Sequence, residues 1–187
     1  MPESFLGDGL IFEESLPVGW TPGPLAEGLA LARLNADNHQ LLGAESSLDE
    51  VRVHEALKDE SPALVHELQR LEYKMNILLR LTAELAVRHS ALPPLQRVRL
   101  SSRALEWFGG ELTPAVGGTG LLAVYINPAL PQSMKIPCVV AGERLEDNVR
   151  AVQLRFSGLS EAVVELLEKL IFRHHRRLVA GARQAAH

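Results

Sequence analysis

Between residues 61 and 89 apolar side chains recur at alternating steps of four and three: Leu64, Leu68, Leu71, Met75, Leu78 and Leu85, with Thr82 holding the remaining place in the series. That is a heptad seam on a helix, with Leu68, Met75 and Thr82 at a and with Leu64, Leu71, Leu78 and Leu85 at d. Ser61 supplies an N-cap hydroxyl, and Pro62 fits the first helical position, where no donor is needed. The flanks are apolar as well: Val65, Leu79 and Ala86 fall at e and Leu81 at g, sites that carry charge in a two-stranded coil. A stripe this wide needs more than one helix to cover it. It belongs either in the core of its own domain or in a bundle of several copies. The bundle is the better reading, because little else in the chain looks able to bury so long a stripe. The seam does not fix the copy number.

Upstream, Leu10-Ile11-Phe12 reads as a short strand, and Pro17, Gly19, Pro22, Gly23 and Pro24 as a rigid connector. Leu25 to Leu42 has helical spacing, with Gly43 as a stop and Ser47-Leu48-Asp49-Glu50 as a capping box for a second helix with Leu48, Val51 and Leu57 on its apolar face. Pro93-Pro94 ends the helical half. The period then falls to two: Val98 and Leu100 alternate with Arg97, Arg99 and Ser101; Leu105 to Phe108 and Leu121 to Asn127 are extended; Ile136, Cys138 and Val140, then Val152, Leu154 and Phe156, line one face of later strands. Pro137 suits an edge. Ser160 caps a last amphipathic helix with Val163, Leu166, Leu167, Leu170 and Ile171 in its stripe. The predicted organisation is an N-terminal segment at 1–24, a helical region at 25–92 with the heptad helix at 62–89, a small antiparallel barrel or sandwich with its closing helix at 95–180, and a tail at 181–187. The fold class is α+β.

Composition narrows the function. The chain of 187 residues carries a net charge of −4, which provides no domain-wide positive field for nucleic acid. Cys138 is the single cysteine, so no internal disulfide forms. Residues 1–32 contain no Lys or Arg, and no apolar run reaches membrane-spanning length, so a cytoplasmic protein without a membrane span is expected.

From Arg97 to about Arg177 the order of features resembles a PilZ domain. A strand enters the turn Leu100-Ser101-Ser102-Arg103-Ala104-Leu105; a Gly-bounded strand follows at Gly120 to Asn127, then a proline-rich loop. A further strand ends near Gly142, and Val152-Gln153-Leu154-Arg155-Phe156-Ser157-Gly158-Leu159-Ser160 leads into the final helix. The resemblance implies a small β-barrel with a C-terminal helix, in a family many of whose members bind cyclic di-GMP. They do so through Arg-x-x-x-Arg at the domain entrance and Asp/Asn-x-Ser-x-x-Gly on the barrel. Here Arg99 stands at the Asp/Asn position, Ser101 matches, Ala104 replaces Gly, and Arg33 is the first arginine in the chain, so no arginine pair precedes Leu10-Ile11-Phe12. A tetramer-forming branch of the family carries a long heptad helix beside a degenerate barrel, and residues 61–89 look like that helix; parallel packing in a homotetramer is what this implies.

Arg97, Arg99, Ser101 and Arg103 are the candidate ligand-binding residues, weighed against a strand whose solvent face merely happens to be basic. No catalytic set, metal site or cofactor is expected. His174 and His175 point about 100° apart on a helix and cannot readily chelate one ion. The expected function is a non-enzymatic, oligomeric signalling adaptor. It acts through a protein partner, and the resemblance implies bacterial motility, pilus or virulence control; cyclic di-GMP is not its expected ligand. The alternative is a cyclic di-GMP receptor with an atypical site.

Overall fold

In the computed structural model, residues 5–7, 9–49, 92–109, 114–127 and 132–184 are described, together with helical positions 66–68, 70–71, 73–75, 77–78 and 81–82. Six antiparallel strands close into a barrel in the order β1-β2-β3-β6-β5-β4. They are β1 (Phe12–Pro22), β2 (Leu95–Leu100), β3 (Ala104–Phe108), β4 (Thr119–Val124), β5 (Met134–Glu146) and β6 (Val149–Phe156). Helix α1 (Gly28–Asp49) lies against β5 and against the C-terminal helix, and that helix, here α3, spans Glu161–Gln184. The helix that carries the heptad, α2, occupies the described positions between 66 and 82.

The period-two pattern puts Val98 and Leu100, Leu105 and Trp107, Leu122 and Val124, Ile136, Cys138 and Val140, and Val152 and Leu154 inside, all buried in one cluster. Their partners Arg97, Arg99, Gln153 and Arg155 face out, as alternation requires. Val163, Leu167, Leu170 and Ile171 of α3 and Leu41 and Leu42 of α1 join the same cluster. Both tryptophans pack: Trp107 is buried and donates through Nε1 to Gln96 Oε1 at 3.3 Å, and Trp20 lies against the core.

The N-terminal stretch departs from expectation. Leu10 and Ile11 precede the strand, and the anticipated connector is the strand itself. Residues Phe12 to Pro17 pair with β2, and Val18 to Pro22 pair with β4, so β1 closes the barrel. Its prolines are tolerated because they stand where ladders stop. Pro17 is the last residue paired with β2, and Pro22 is the last paired with β4. Pro137 obeys the same logic inside a barrel that has no free sheet edge. It faces Leu121 in β4, while pairing with β6 begins only at Cys138. Its carbonyl accepts from Ser157 N at 2.8 Å beyond the end of β6, so its nitrogen, on the same side, lies past the ladder. β3 is the hairpin partner of β2, turned by Ser101 to Arg103.

α1 also differs. It starts at Gly28, runs through Gly43 without stopping and continues to Asp49, so no new helix begins at Ser47. Nothing crowds the place of a Cβ at Gly43, and the helix passes it at only the ordinary cost of glycine. Two asparagines fix its pose. Asn38 is buried; its Nδ2 donates to Lys135 O at 2.8 Å and its Oδ1 accepts from Lys135 N at 2.9 Å, imitating a strand partner. Asn35 Nδ2 donates to Gly158 O at 2.9 Å, and its Oδ1 accepts from Ser160 N at 2.9 Å. Ser160 caps α3 as predicted, with its Oγ accepting from Val163 N at 3.4 Å. Gly158 holds φ +72°, and an added Cβ would sit 2.7 Å from Leu31, so only glycine lets α1 approach this close.

α2 presents its stripe to solvent within the single chain. Leu71 is 52% exposed, Met75 61% and Leu78 61%, and Leu68 and Leu81 are exposed too. The barrel does not cover these residues. Thr82 Oγ1 donates to Leu78 O at 2.9 Å, so its hydroxyl has a partner within its own helix. The outer seam positions Leu64 and Leu85 lie outside the described residues.

Candidate functional site

Strand register assembles a row of polar side chains on the outer barrel face. Glu13 of β1 is opposite Arg99 of β2, Arg99 is opposite Glu106 of β3, and Glu106 is opposite Gln153 of β6. Arg144 and Glu146 reach in from the long β5–β6 hairpin, whose bulge between Val140 and Gly142 re-aims the strand. Asp147 and Asn148, both at positive φ, turn its tip.

The contacts are dense. Arg97 Nε donates to Glu13 Oε1 at 2.8 Å, and Arg99 bridges Glu13 Oε2 at 2.9 Å and Glu146 Oε2 at 2.7 Å. Arg144 forks onto Glu106 through Nε and Nη2, both at 2.8 Å, and pairs with Glu146 at 2.6 Å. Gln153 Nε2 donates to Glu106 Oε1 at 3.0 Å. Glu106 is buried, so its charge is tolerable only with this full set of donors. Beneath the guanidinium groups lies buried Phe108, with the centres of Arg97, Arg99 and Arg144 at 4.5, 4.9 and 5.7 Å from its ring. Arg97, Arg99 and Arg144 face Glu13, Glu106 and Glu146, three charges against three.

This balance shows in the titration of the carboxyls. Hydrogen bonds from Arg99 and then Arg144 pull Glu146 down to about 2. At Glu13 the hydrogen bond from Arg99 lowers the carboxyl most; burial opposes it, and Arg97 adds to the lowering, so the net direction is down. At Glu106 burial pushes upward, but Arg144, Gln153 and Arg99 together outweigh it and the net direction is down. Arg144 and Arg99 are raised in return, by Glu106 and by Glu146 respectively. Carboxyls depressed in the fold stabilise it above their unfolded pKa of about 4.3, and that stability disappears as pH falls through the folded values. The thermal midpoint measured by calorimetry should therefore be level from about pH 8 to 5 and drop between roughly pH 4.5 and 2. In Glu146→Gln the drop should be shallower; an identical acid limb would show that the network does not set it.

The four candidate ligand residues divide into two groups. Arg97 and Arg99 belong to the balanced face. Ser101 is buried in the β2–β3 turn, where its Oγ accepts from Ala104 N at 3.1 Å and Arg103 N at 3.4 Å. Its hydroxyl holds the turn. Arg103 is exposed and lines a cleft of about 450 Å³ with Arg155, Phe156, Phe5 and Ser102. The Arg155 guanidinium lies 5.7 Å from the Phe5 ring. Glu13, Glu106, Phe108, Arg144, Glu146 and Gln153 do not stand out as site residues in the sequence. The available signals were one Glu inside the apolar run Ala104 to Phe108 and the alternating charges of Glu143 to Glu146.

Other chemistry is weak. Burial pushes the Cys138 thiol well above its usual range. The His174 ring packs against Phe12 with centroids 4.1 Å apart and planes tilted by 42°, and lies 3.6 Å from Glu14. No group of three potential metal ligands occurs among the described residues. No helix among them is long and apolar enough to cross a membrane.

Comparison with known proteins agrees with this architecture. The family profile described as "Atypical PilZ domain, cyclic di-GMP receptor" matches residues 42–184. No curated protein sequence matches the chain. Among solved structures, a pathogenic protein from Xanthomonas campestris, described as a new tetrameric PilZ domain self-assembled via an unusual helical bundle, is similar. It shares 27% identity, with 92% of each chain covered and a TM-score of 0.71.

Proposed function

This chain belongs to the atypical PilZ domain family, and we propose that it works as a non-enzymatic, homotetrameric adaptor whose barrels bind a protein partner rather than cyclic di-GMP. The observation that carries the reading is the occupancy of Arg99. This residue stands where the family motif has Asp or Asn, and Glu13 and Glu146 already hold its guanidinium. A dianionic dinucleotide approaching this face would have to displace two carboxylates from Arg99 and lie beside three. The reversed charge removes the acid or amide that reads a guanine edge, and Ala104 replaces the motif glycine.

Assembly is supported by the uncovered stripe of α2. Five apolar side chains exposed on one helix are too many to leave in water. Their heptad spacing suits parallel helices, and the Xanthomonas protein is itself a tetramer built by a helical bundle. Thr82 fits an apolar seam because its hydroxyl bonds to Leu78 O of its own helix. By this reading residues 62–89 form the oligomerisation unit. Control of motility, pili or virulence in a cytoplasmic signalling pathway is the setting we propose.

One observation favours a second reading, a cyclic di-GMP receptor with an atypical site. The cleft at Arg103 and Arg155 has room for a nucleotide and carries two cations. Isothermal titration with cyclic di-GMP separates the two. The adaptor reading expects no heat and no thermal shift at high ligand excess. Saturable heat that Arg103→Ala and Arg155→Ala abolish would establish the receptor.

A further inference from the structure

The cleft at the β2–β3 turn differs in charge from the face beside it. Its two arginines rise from rigid backbone. Arg103 sits in the turn that Ser101 Oγ holds, and its carbonyl accepts from Phe156 N at 2.9 Å. Arg155 stands opposite Ala104 in the β3–β6 ladder, so the two side chains leave neighbouring strand ends. Both are exposed, and neither forms an ion pair with a described residue. Arg155 lays its guanidinium over the Phe5 ring at 5.7 Å, which leaves the edge of its N–H fork for an acid. Glu168 of α3 reaches the rim, where its carboxylate accepts from Ser102 Oγ at 3.1 Å. That is one negative charge beside two positive ones. On the neighbouring face Arg97, Arg99 and Arg144 are matched by Glu13, Glu146 and Glu106. The cleft therefore keeps a positive excess in a chain of net −4.

The rest of its wall is apolar. Phe5, Leu6, Phe156, Leu159 and Val164 border about 450 Å³, a volume in the range of pockets that seat a ligand group. Leu6 is buried, so the segment before β1 is a packed part of the wall. Among the described residues that line the cleft there is no carboxylate or amide side chain to read a nucleotide base edge, and both serine hydroxyls are engaged, Ser101 with the turn and Ser102 with Glu168. Paired guanidinium groups around a small apolar hollow with aromatic walls are the composition of an anchor point between proteins. We infer that this cleft takes an acidic segment of the partner protein, with one apolar side chain seated against the wall and flanking carboxylates on Arg103 and Arg155. The inference rests on the adaptor reading and names the chemistry of the partner that reading requires.

Fluorescence anisotropy with the full-length protein tests it. The probes are labelled six-residue peptides in which Asp and Glu flank a central Leu-Leu, Leu-Phe or Leu-Trp. At least one should bind saturably, and its counterpart with Lys for each acid should not. Arg103→Glu/Arg155→Glu should weaken binding by about tenfold or more, since two ion pairs become two repulsions. Phe5→Ala should weaken it as well. If the charge reversal disturbs the fold, a salt series on the unaltered protein decides, because binding must fall as the Debye length shrinks from about 30 Å to about 3 Å. Equal affinity in the double variant, or no binding of any acidic peptide, overturns the inference. Failure of the adaptor reading gives a different result: saturable heat with cyclic di-GMP, abolished by Arg103→Ala and Arg155→Ala. Silence toward both the peptides and the dinucleotide removes the acidic partner alone.

Discussion

Leu71→Asp/Leu78→Asp is expected to take the proposed assembly to monomers, while its barrel keeps its fold. Both residues are exposed in the single chain, so the substitutions cost the barrel nothing. In the proposed bundle they would place two carboxylates per chain at consecutive d layers, facing their copies. Burying an unpaired carboxylate costs several kcal/mol, and each layer would gather one from every strand. The loss accumulates over all chains and exceeds what the remaining seam residues return. Sedimentation velocity at micromolar concentration should show a shift from one fast species to one at monomer mass, with far-ultraviolet circular dichroism retaining the strand signal. An unchanged sedimentation coefficient would mean that another surface holds the copies together.

The second large effect is predicted at Glu106. Its carboxylate is buried, accepts two bonds from Arg144 and one from Gln153, and lies 4.0 Å from Arg99. Glu106→Ala removes the anion at the centre of the row and leaves three guanidinium groups around Phe108 with two carboxylates between them. Arg144 stays half-exposed and recovers some hydration, so the cost is below that of a fully buried pair: about 3 kcal/mol, or a midpoint lower by roughly 6–12 °C for a chain of this size. Glu106→Gln keeps the volume and loses the charge, and should fall between the two. Chemical denaturation measures both; a Glu106→Ala protein within about 0.5 kcal/mol of the parent would show the row to be ordinary surface.

What the sequence disclosed and what it hid follow from the range of the interactions. Val98 and Leu100, Ile136 to Val140, and Val152 and Leu154 declare their faces through a period of two. The stripe of α3 and the Ser160 cap are equally local, and all were readable. The strand at Phe12–Pro22 was not, because its prolines and glycine imitate a connector; only the positions where the β2 and β4 ladders end make them harmless. Gly43 misled in the opposite sense, since a single glycine weakens a helix without ending it. The charged face was illegible for a different reason. Arg97 and Arg99 appear as a basic strand, and the carboxylates that cancel them come from Glu13, 84 and 86 residues away, and from Glu146, 47 residues beyond Arg99. Charge balance of this kind is a property of register, which appears only once β1, β2, β3 and β5 are laid side by side. Asn35 and Asn38 escaped for the same reason, since their backbone partners lie 97 to 125 residues away.

If sister chains cover the stripe on α2, the mass of the unaltered protein in solution shows it, measured by light scattering on a sizing column across a concentration series. The expected mass is about four times the 20.5 kDa of one chain, held down to micromolar concentration. A single peak at the mass of one chain, with α2 still helical, would contradict it.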